Sequence, residues 1–327
     1  MSTDTADHRY VSSGDLPGQD EADAWIGRAY DAFRTDADGT VSTVYPVLAE
    51  ADPDKFAMCL TTVDGASITR GDLDQKFVLM SVSKSFVLAL VCEQVGLDVV
   101  RRVVGVNPTG LPFNSLAAIE RFNDGRTNPM VNAGAIATSS LVPGSDFEER
   151  WILLTRTMSA FAGRPLTMDQ ATYDSARTTN MRNRSIAYLL SSYGAINGDA
   201  MAALDLYTRQ CCLEVTASDL AVMGATLATG GVNPVTKERV VSAHTAHAVL
   251  AIMTIAGMYE NSGDWFLDVG VPAKSGISGG IVSVSPGKGA LATYSAPLDT
   301  AGNSVRGVKS AIYLSQHLGL DVVAVPD

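Results

Sequence analysis

The sequence predicts an α+β fold, with one antiparallel sheet formed by the N- and C-terminal segments, helices packed on it, and an all-helical lobe beside it. Three observations lead there. A strand-like stretch with a tight turn occurs near residues 56–69, and a second strand pair occurs near 280–294. Nearly everything between about 115 and 260 instead carries helical periodicity. Strands at both ends of a chain whose middle is helical pair most economically with each other.

Taken in order, the first ~20 residues are polar and acidic and read as a disordered arm. From Asp20 to Arg34, Ala24, Trp25, Ala29 and Phe33 recur at helix-like spacing. Phe56–Val63 is strand-like, Asp64-Gly65 is a strong turn pair, and Ala66–Thr69 returns as a second strand, making a hairpin. An apolar helix from Ser81 to about Val95 follows and stops at Gly96. Helices over Phe147–Phe161, Met181–Tyr193, Asp199–Cys211, Ser218–Thr229 and Ser242–Met258 are separated by Gly, Asn and Pro. Gly280–Ser285 and Ala290–Tyr294 flank the turn Pro286-Gly287-Lys288-Gly289, and a last helix runs from about Arg306 to Leu318. The expected organisation is an arm over 1–20 and a single domain over 21–327. Its α/β lobe is drawn from about 21–80 and 260–327, its helical lobe from about 81–259.

Composition narrows the function classes. With 46% hydrophobic and 18% charged residues, the 327-residue chain has the make-up of a packed enzyme and not of a disordered segment. A net charge of −11 with no Lys/Arg-rich run argues against nucleic acid and against an anionic membrane surface. The polar N-terminus lacks the parts of a secretory signal, and the longest apolar run, Ala248–Met258, is too short for a bilayer, so a cytoplasmic location is expected. Cys59, Cys92, Cys211 and Cys212 fit no disulfide framework and read as reduced thiols. His8, His244, His247 and His317 accompany no G-x-S-x-G elbow and no ligand spacing, which disfavours a Ser-His-Asp hydrolase and a metal site. Gly287-Lys288-Gly289 lacks the Walker spacing. No metal or organic cofactor is expected.

Positive chemistry begins at Ser81-Val82-Ser83-Lys84, an S-x-x-K motif. The motif is weak alone, and Ser285–Lys288 repeats it inside a turn. The first copy opens a predicted helix, so serine and lysine lie one turn apart on one face. The helix N-terminus favours negative charge on the serine oxygen. Burial among Phe77, Val78, Leu79 and Phe86 disfavours an ammonium on Lys84, which suits a neutral base. The bland alternative is a capping serine with an exposed lysine. Lys274-Ser275-Gly276 lies 190 residues downstream, before a predicted strand, and its glycines allow close backbone approach to a substrate. S-x-x-K on a helix with K-[S/T]-G on a facing strand is the arrangement of β-lactamase and penicillin-binding-protein-like enzymes.

Longer motifs go further. Val44-Tyr45-Pro46, Asn128–Ile136 (NPMVNAGAI), Arg182-Asn183, Asp205-Leu206-Tyr207, Gly257-Met258-Tyr259 and Pro272–Ile281 (PAKSGISGGI) resemble the serine-dependent glutaminases, over about Tyr45 to Asp321. The resemblance implies a β-lactamase-like fold and the conversion of L-glutamine and water to glutamate and ammonia. It also implies a homodimer or homotetramer. It assigns Ser81 as nucleophile, Lys84 as its activating base and Tyr259 as a proton carrier. It puts the oxyanion on the backbone N–H groups of Ser81 and Ile277, where the family usually has valine. It gives Tyr45, Asn132, Asn183 and Tyr207 the α-carboxylate and α-amino end of the substrate, with Lys274 among the binding residues.

Two positions depart from the family. Ser175-Ala176 stands where the family has Ser-Glu, a glutamate expected to face the substrate's α-ammonium, and its loss would cost roughly 5- to 150-fold in binding. Asp174 is the carboxylate that a backbone shift would bring in its place. Met80 stands where glutamine often precedes the nucleophile. Two rival readings therefore accompany glutaminase: a serine amidohydrolase or esterase for another γ-amide or ester lacking the α-amino group, and a non-catalytic glutamine-binding paralogue.

Overall fold

The structure is a computed structural model that describes residues 15–121 and 124–325. Helix α1 (Gln19–Phe33) leads into strands β1 (Ala57–Thr62), β2 (Ser67–Gly71) and the two-residue β3 (Phe77–Val78). Helices α2 (Ser83–Val95), α3 (Leu97–Val103), α4 (Ala117–Glu120), α5 (Asn132–Ser140) and α6 (Phe147–Ala162) follow. Next come α7 (Gln170–Thr179), α8 (Met181–Ser192) and α9 (Ala200–Cys211). A short β4 (Glu214–Val215) precedes α10 (Ala217–Ala228), α11 (Ala243–Ala256) and α12 (Ser262–Asp268). Strands β5 (Ala273–Ser275), β6 (Gly280–Ser285) and β7 (Gly289–Tyr294) and helix α13 (Val305–Leu318) close the order.

The five-stranded sheet runs β2-β1-β7-β6-β5, every pair antiparallel. The two ends of the chain meet at β1 and β7, where Leu60 lies opposite Leu291. Alternation along the strands sorts side chains to two faces. Phe56, Met58, Leu60, Ile281 and Leu291 join Ile26 and Ala29 of α1 and Leu314 and Leu318 of α13 in one core cluster. Ala57, Cys59, Val282, Val284, Ala290 and Ala292 point the other way, to α10 and the helical middle. Both faces are covered, so β1, β6 and β7 are buried along nearly their whole length although they are antiparallel.

Local chemistry explains the connections. Gly65, at φ +99°, makes the β1–β2 turn, and Gly287, at φ +75°, makes the β6–β7 turn. Thr216 and Asp219 form a reciprocal capping box at the start of α10. Asp199, Ser242 and Ser304 cap α9, α11 and α13.

The predicted hairpins and the five long middle helices are present within a residue or two of their expected bounds. The expected arm falls mostly on residues 1–14, outside those described. Its end is already folded: Leu16 packs against the core and α1 begins at Gln19. Ser81 does not open α2 itself. It sits in a 3₁₀ turn over Met80–Val82, because Met80 takes φ +45° and α2 proper starts at Ser83. No helix among the described residues is long and apolar enough to cross a membrane.

Candidate active site

The 3₁₀ turn holds Ser81 where β3 gives way to α2, and Lys84 follows one turn on. Both side chains are buried, Lys84 to 1% exposure. Burial pushes the Lys84 pKa down to about 8, because an ammonium loses its hydration there. Its Nζ donates to Asn132 Oδ1 at 2.7 Å and to the Met130 carbonyl at 3.4 Å.

Asn132 is the first residue of α5 and the centre of a small network. Its Oδ1 also accepts from the Tyr207 hydroxyl at 3.2 Å, and its Nδ2 donates to Asn183 Oδ1 at 3.0 Å. Four side chains from α2, α5, α8 and α9 are thus tied together, and each buried polar group has a partner.

The opposite wall depends on two close backbone approaches. A Cβ on Gly257 would lie 1.8 Å from the Ala273 carbonyl oxygen, so only glycine lets the end of α11 touch β5. A Cβ on Gly276 would lie 2.8 Å from the Leu79 carbonyl oxygen, so the turn after β5 packs against the residues leading to Ser81. Tyr259 adopts φ +54°, uncommon for a bulky side chain, and Met80 adopts its own positive φ on the other side of Ser81. The Tyr259 hydroxyl donates to the Ser275 carbonyl at 3.2 Å. Burial raises its phenol well above the usual range, and the Ser81 hydroxyl beside it partly opposes that rise.

A cavity of about 250 Å³ opens between these walls. It is lined by Tyr45, Ser81, Asn132, Asn183, Tyr207 and Ile277, six of the nine residues expected from the sequence. Lys84 stands behind Asn132, and Tyr259 stands beside Ser81 with its ring 4.8 Å from the cavity residue Phe113. Lys274 departs from expectation: it does not line the cavity. Its Nζ donates to the Gly257 and Ser275 carbonyls at 2.8 Å each and lies 4.4 Å from the Tyr259 ring centre. Two carbonyls and a ring face engage the amine, so it braces the β5 wall and Tyr259. Burial, together with the nearby Lys84, drives the Lys274 pKa well down.

The structure adds lining residues that sequence reasoning missed, among them Phe113, Asn114, Thr179, Asn180 and Cys211. Cys211 falls one turn after Tyr207 on α9, a spacing that would have found it. Asn180 precedes Asn183 by three residues, another such signal, whereas Asn114 comes from a loop and carried none. Arg182 at the mouth donates through Nε to the Asn114 carbonyl at 3.0 Å. Ala176 is buried in α7, one turn before Thr179 and Asn180. Asp174 is exposed and accepts from the Gln170 amide, so it does not replace a carboxylate here. Met80 both packs in the core and lines the cavity. Among the described residues no cluster of His, Cys, Asp and Glu has the geometry of a metal site.

A sheet carrying its K-S-G turn opposite a serine–lysine turn and a helical lobe defines a hydrolase of the β-lactamase-like class. The sequence profile described as Glutaminase matches residues 39–323. This chain belongs to the glutaminase family. It is similar to Glutaminase 2 of Yersinia pestis, 53% identical over 96% of this chain and 92% of that one. A glutaminase of Brucella canis is 50% identical over 84% of this chain and 86% of its own length. Among solved structures, one described as a probable glutaminase, ybaS, superposes with a TM-score of 0.93 at 41% identity, covering 94% of this chain and 100% of that one. Mglu in its glutamate form gives 0.88 at 37% identity, over 93% and 70%.

Proposed function

We propose that this glutaminase hydrolyses L-glutamine to L-glutamate and ammonia through a glutamyl ester on Ser81, with residues 21–327 acting as one catalytic domain. The observation that carries the mechanism is Lys84, a lysine buried one turn from a cavity-lining serine and held at a pKa of about 8. About one molecule in ten then has a neutral amine at pH 7. A neutral amine has two N–H bonds, and the Asn132 and Met130 oxygens accept them, which leaves the lone pair for the serine proton.

In the first half-reaction Lys84 takes the Ser81 proton and Oγ attacks the γ-carbonyl carbon. The oxyanion rests on the N–H groups of Ser81 and Ile277. No described residue accepts from the Ile277 N–H, which leaves it available. The C–N bond breaks as Tyr259 passes a proton to the leaving ammonia. Water then attacks the ester as Tyr259 takes its proton, and Lys84 returns the first proton to Ser81 Oγ as glutamate departs. Tyr45, Asn183 and Tyr207 hold the α end, with Asn132 aligning both Lys84 and Asn183. At about 250 Å³ the cavity lies below the range of drug-sized pockets, which suits an amino-acid substrate. The protein is read as a cytoplasmic homodimer or homotetramer. Four unpaired buried cysteines fit a reducing compartment, and light scattering on the purified chain decides the assembly.

The test is glutamate release by the wild type and Ser81→Ala, with mass spectrometry of the protein after an electrophilic γ-carbonyl analogue of glutamine. Serine-dependent turnover and a single adduct on Ser81 support the mechanism. Turnover that survives Ser81→Ala sinks it.

A further inference from the structure

Glutamine presents two opposite charges at its α carbon, yet the cavity offers only one in reply. Among the described residues that line it there is no carboxylate, and Arg182 is the single ionised side chain. The remaining polar lining groups are amides and hydroxyls, on Tyr45, Asn132, Asn183 and Tyr207 among others. Of the described carboxylates nearby, none lines the cavity: Asp299 accepts from the Ala301, Gly302 and Asn303 N–H groups, and Glu260, next to Tyr259, is exposed. Asp205 accepts from the Tyr173 hydroxyl at 2.5 Å and pairs with Arg209 at 2.9 Å. It opens onto a separate cavity that shares only Asn180 with this one. Asp174 faces solvent. On α7, the helix whose last turn reaches the cavity, Ala176 fills the buried position one turn before Thr179 and Asn180.

A ligand's α-carboxylate therefore meets Arg182 and neutral donors, while its α-ammonium meets no anion and shares the cavity with a like charge. The ammonium gives up water on entry and regains only dipoles, so its presence adds little binding and can subtract some. Reaction occurs at the other end of the molecule, at Ser81, and does not involve the α nitrogen. From this charge balance we propose that the site also hydrolyses γ-amides that keep the α-carboxylate and lack the α-ammonium, with 4-carbamoylbutanoate as the simplest member. Water adds its hydroxyl to the γ-carbonyl, the amide C–N bond breaks, and ammonia leaves with a dicarboxylate. The inference rests on the glutaminase reading above and extends its substrate class.

The experiment measures ammonia release by the full-length wild type from L-glutamine and from 4-carbamoylbutanoate at pH 8. The inference expects kcat/KM values within about tenfold of each other. A preference for glutamine of a hundredfold or more overturns it, and leaves the glutaminase reading intact. Ammonia from neither amide overturns both. A second arm places a carboxylate in the wall. Ala176→Glu and the isosteric Asn180→Asp are expected to lower KM for L-glutamine at least fivefold, with kcat little changed and KM for 4-carbamoylbutanoate unchanged or raised. Asn180→Asp adds no volume, so it answers if Ala176→Glu fails to fold. Equal effects on both amides would show that the α-ammonium already has a partner in the wild type, and the inference would fail.

Discussion

Lys84 is a cation that the fold strips of water, and its titration connects stability to rate. The folded pKa is about 8, against about 10.4 for a solvated lysine. If the neutral amine is the base, kcat/KM falls about tenfold per pH unit below pH 8 and levels above it. A pH profile whose acid limb lies near 6 would remove Lys84 from that role. The stability sign follows from proton counting. Between pH 8 and about 10.4 the unfolded chain binds the proton and the folded chain does not, so this group's contribution to stability rises with pH across that window. Below pH 8 the folded protein carries a buried ammonium, at a cost on the order of 3 kcal/mol. Lys84→Met should therefore raise the thermal midpoint at pH 7 while lowering kcat at least a hundredfold. A lower midpoint would mean that the bonds to Asn132 and Met130 outweigh the buried charge.

Element packing separates two glycines that sequence alone treats alike. Gly224 lies mid-helix in α10, against the sheet, where a Cβ would sit 2.5 Å from Val282 Cγ2 and 2.6 Å from Ala290 Cβ. Val282 can turn about χ1, but Ala290 Cβ moves only with its strand, so α10 and the sheet must part slightly there. Gly224→Ala is expected to cost at least about 1–3 kcal/mol in urea unfolding, with kcat kept because neither strand residue lines the cavity. Gly257 meets the backbone carbonyl of Ala273 instead, and its own carbonyl accepts from Lys274. Backbone cannot yield without moving β5, Lys274 and Tyr259 together. Gly257→Ala is expected to lose at least a hundredfold in kcat, read in steady-state glutamate release. Similar kinetic losses from both variants would contradict this division. The cap of α10 belongs to the same scale: Asp219 closes the box with Thr216 and pairs with Arg164 at 2.5 Å. Asp219→Ala should destabilise by about 2 kcal/mol.

Across the whole molecule, the two ends of the chain are joined through the sheet, and α1 with α13 covers its outer face. Removing residues 305–327 uncovers Ile281 of β6 and Leu291 of β7 by deleting Ala311, Leu314 and Leu318. Each buried leucine is worth about 1.5–3 kcal/mol, and a domain of this kind has about 5–15 kcal/mol in total. The truncated chain is expected to show no cooperative thermal transition by circular dichroism. A sharp transition near the full-length midpoint would mean that the inner core alone sustains the fold.

Periodicity and turn chemistry were local enough to read directly. Asp64-Gly65, the apolar run after Ser81 and the periodic stretches Asp199–Cys211 and Ser242–Met258 each act within a few residues, and the elements they imply are where they were expected. Short pieces such as α4 and β5 lack the length to show a period and exist because long-range neighbours hold them. The sequence by itself determined the fold class, the family and the candidate nucleophile, because these rest on motifs and patterns along the chain. Tertiary structure alone decided that Lys84 is buried beside Asn132, that Lys274 braces carbonyls behind Tyr259, and that among the described residues the cavity wall holds Arg182 and no acid. Desolvation and charge pairing depend on groups brought together from distant positions, and no local pattern records them.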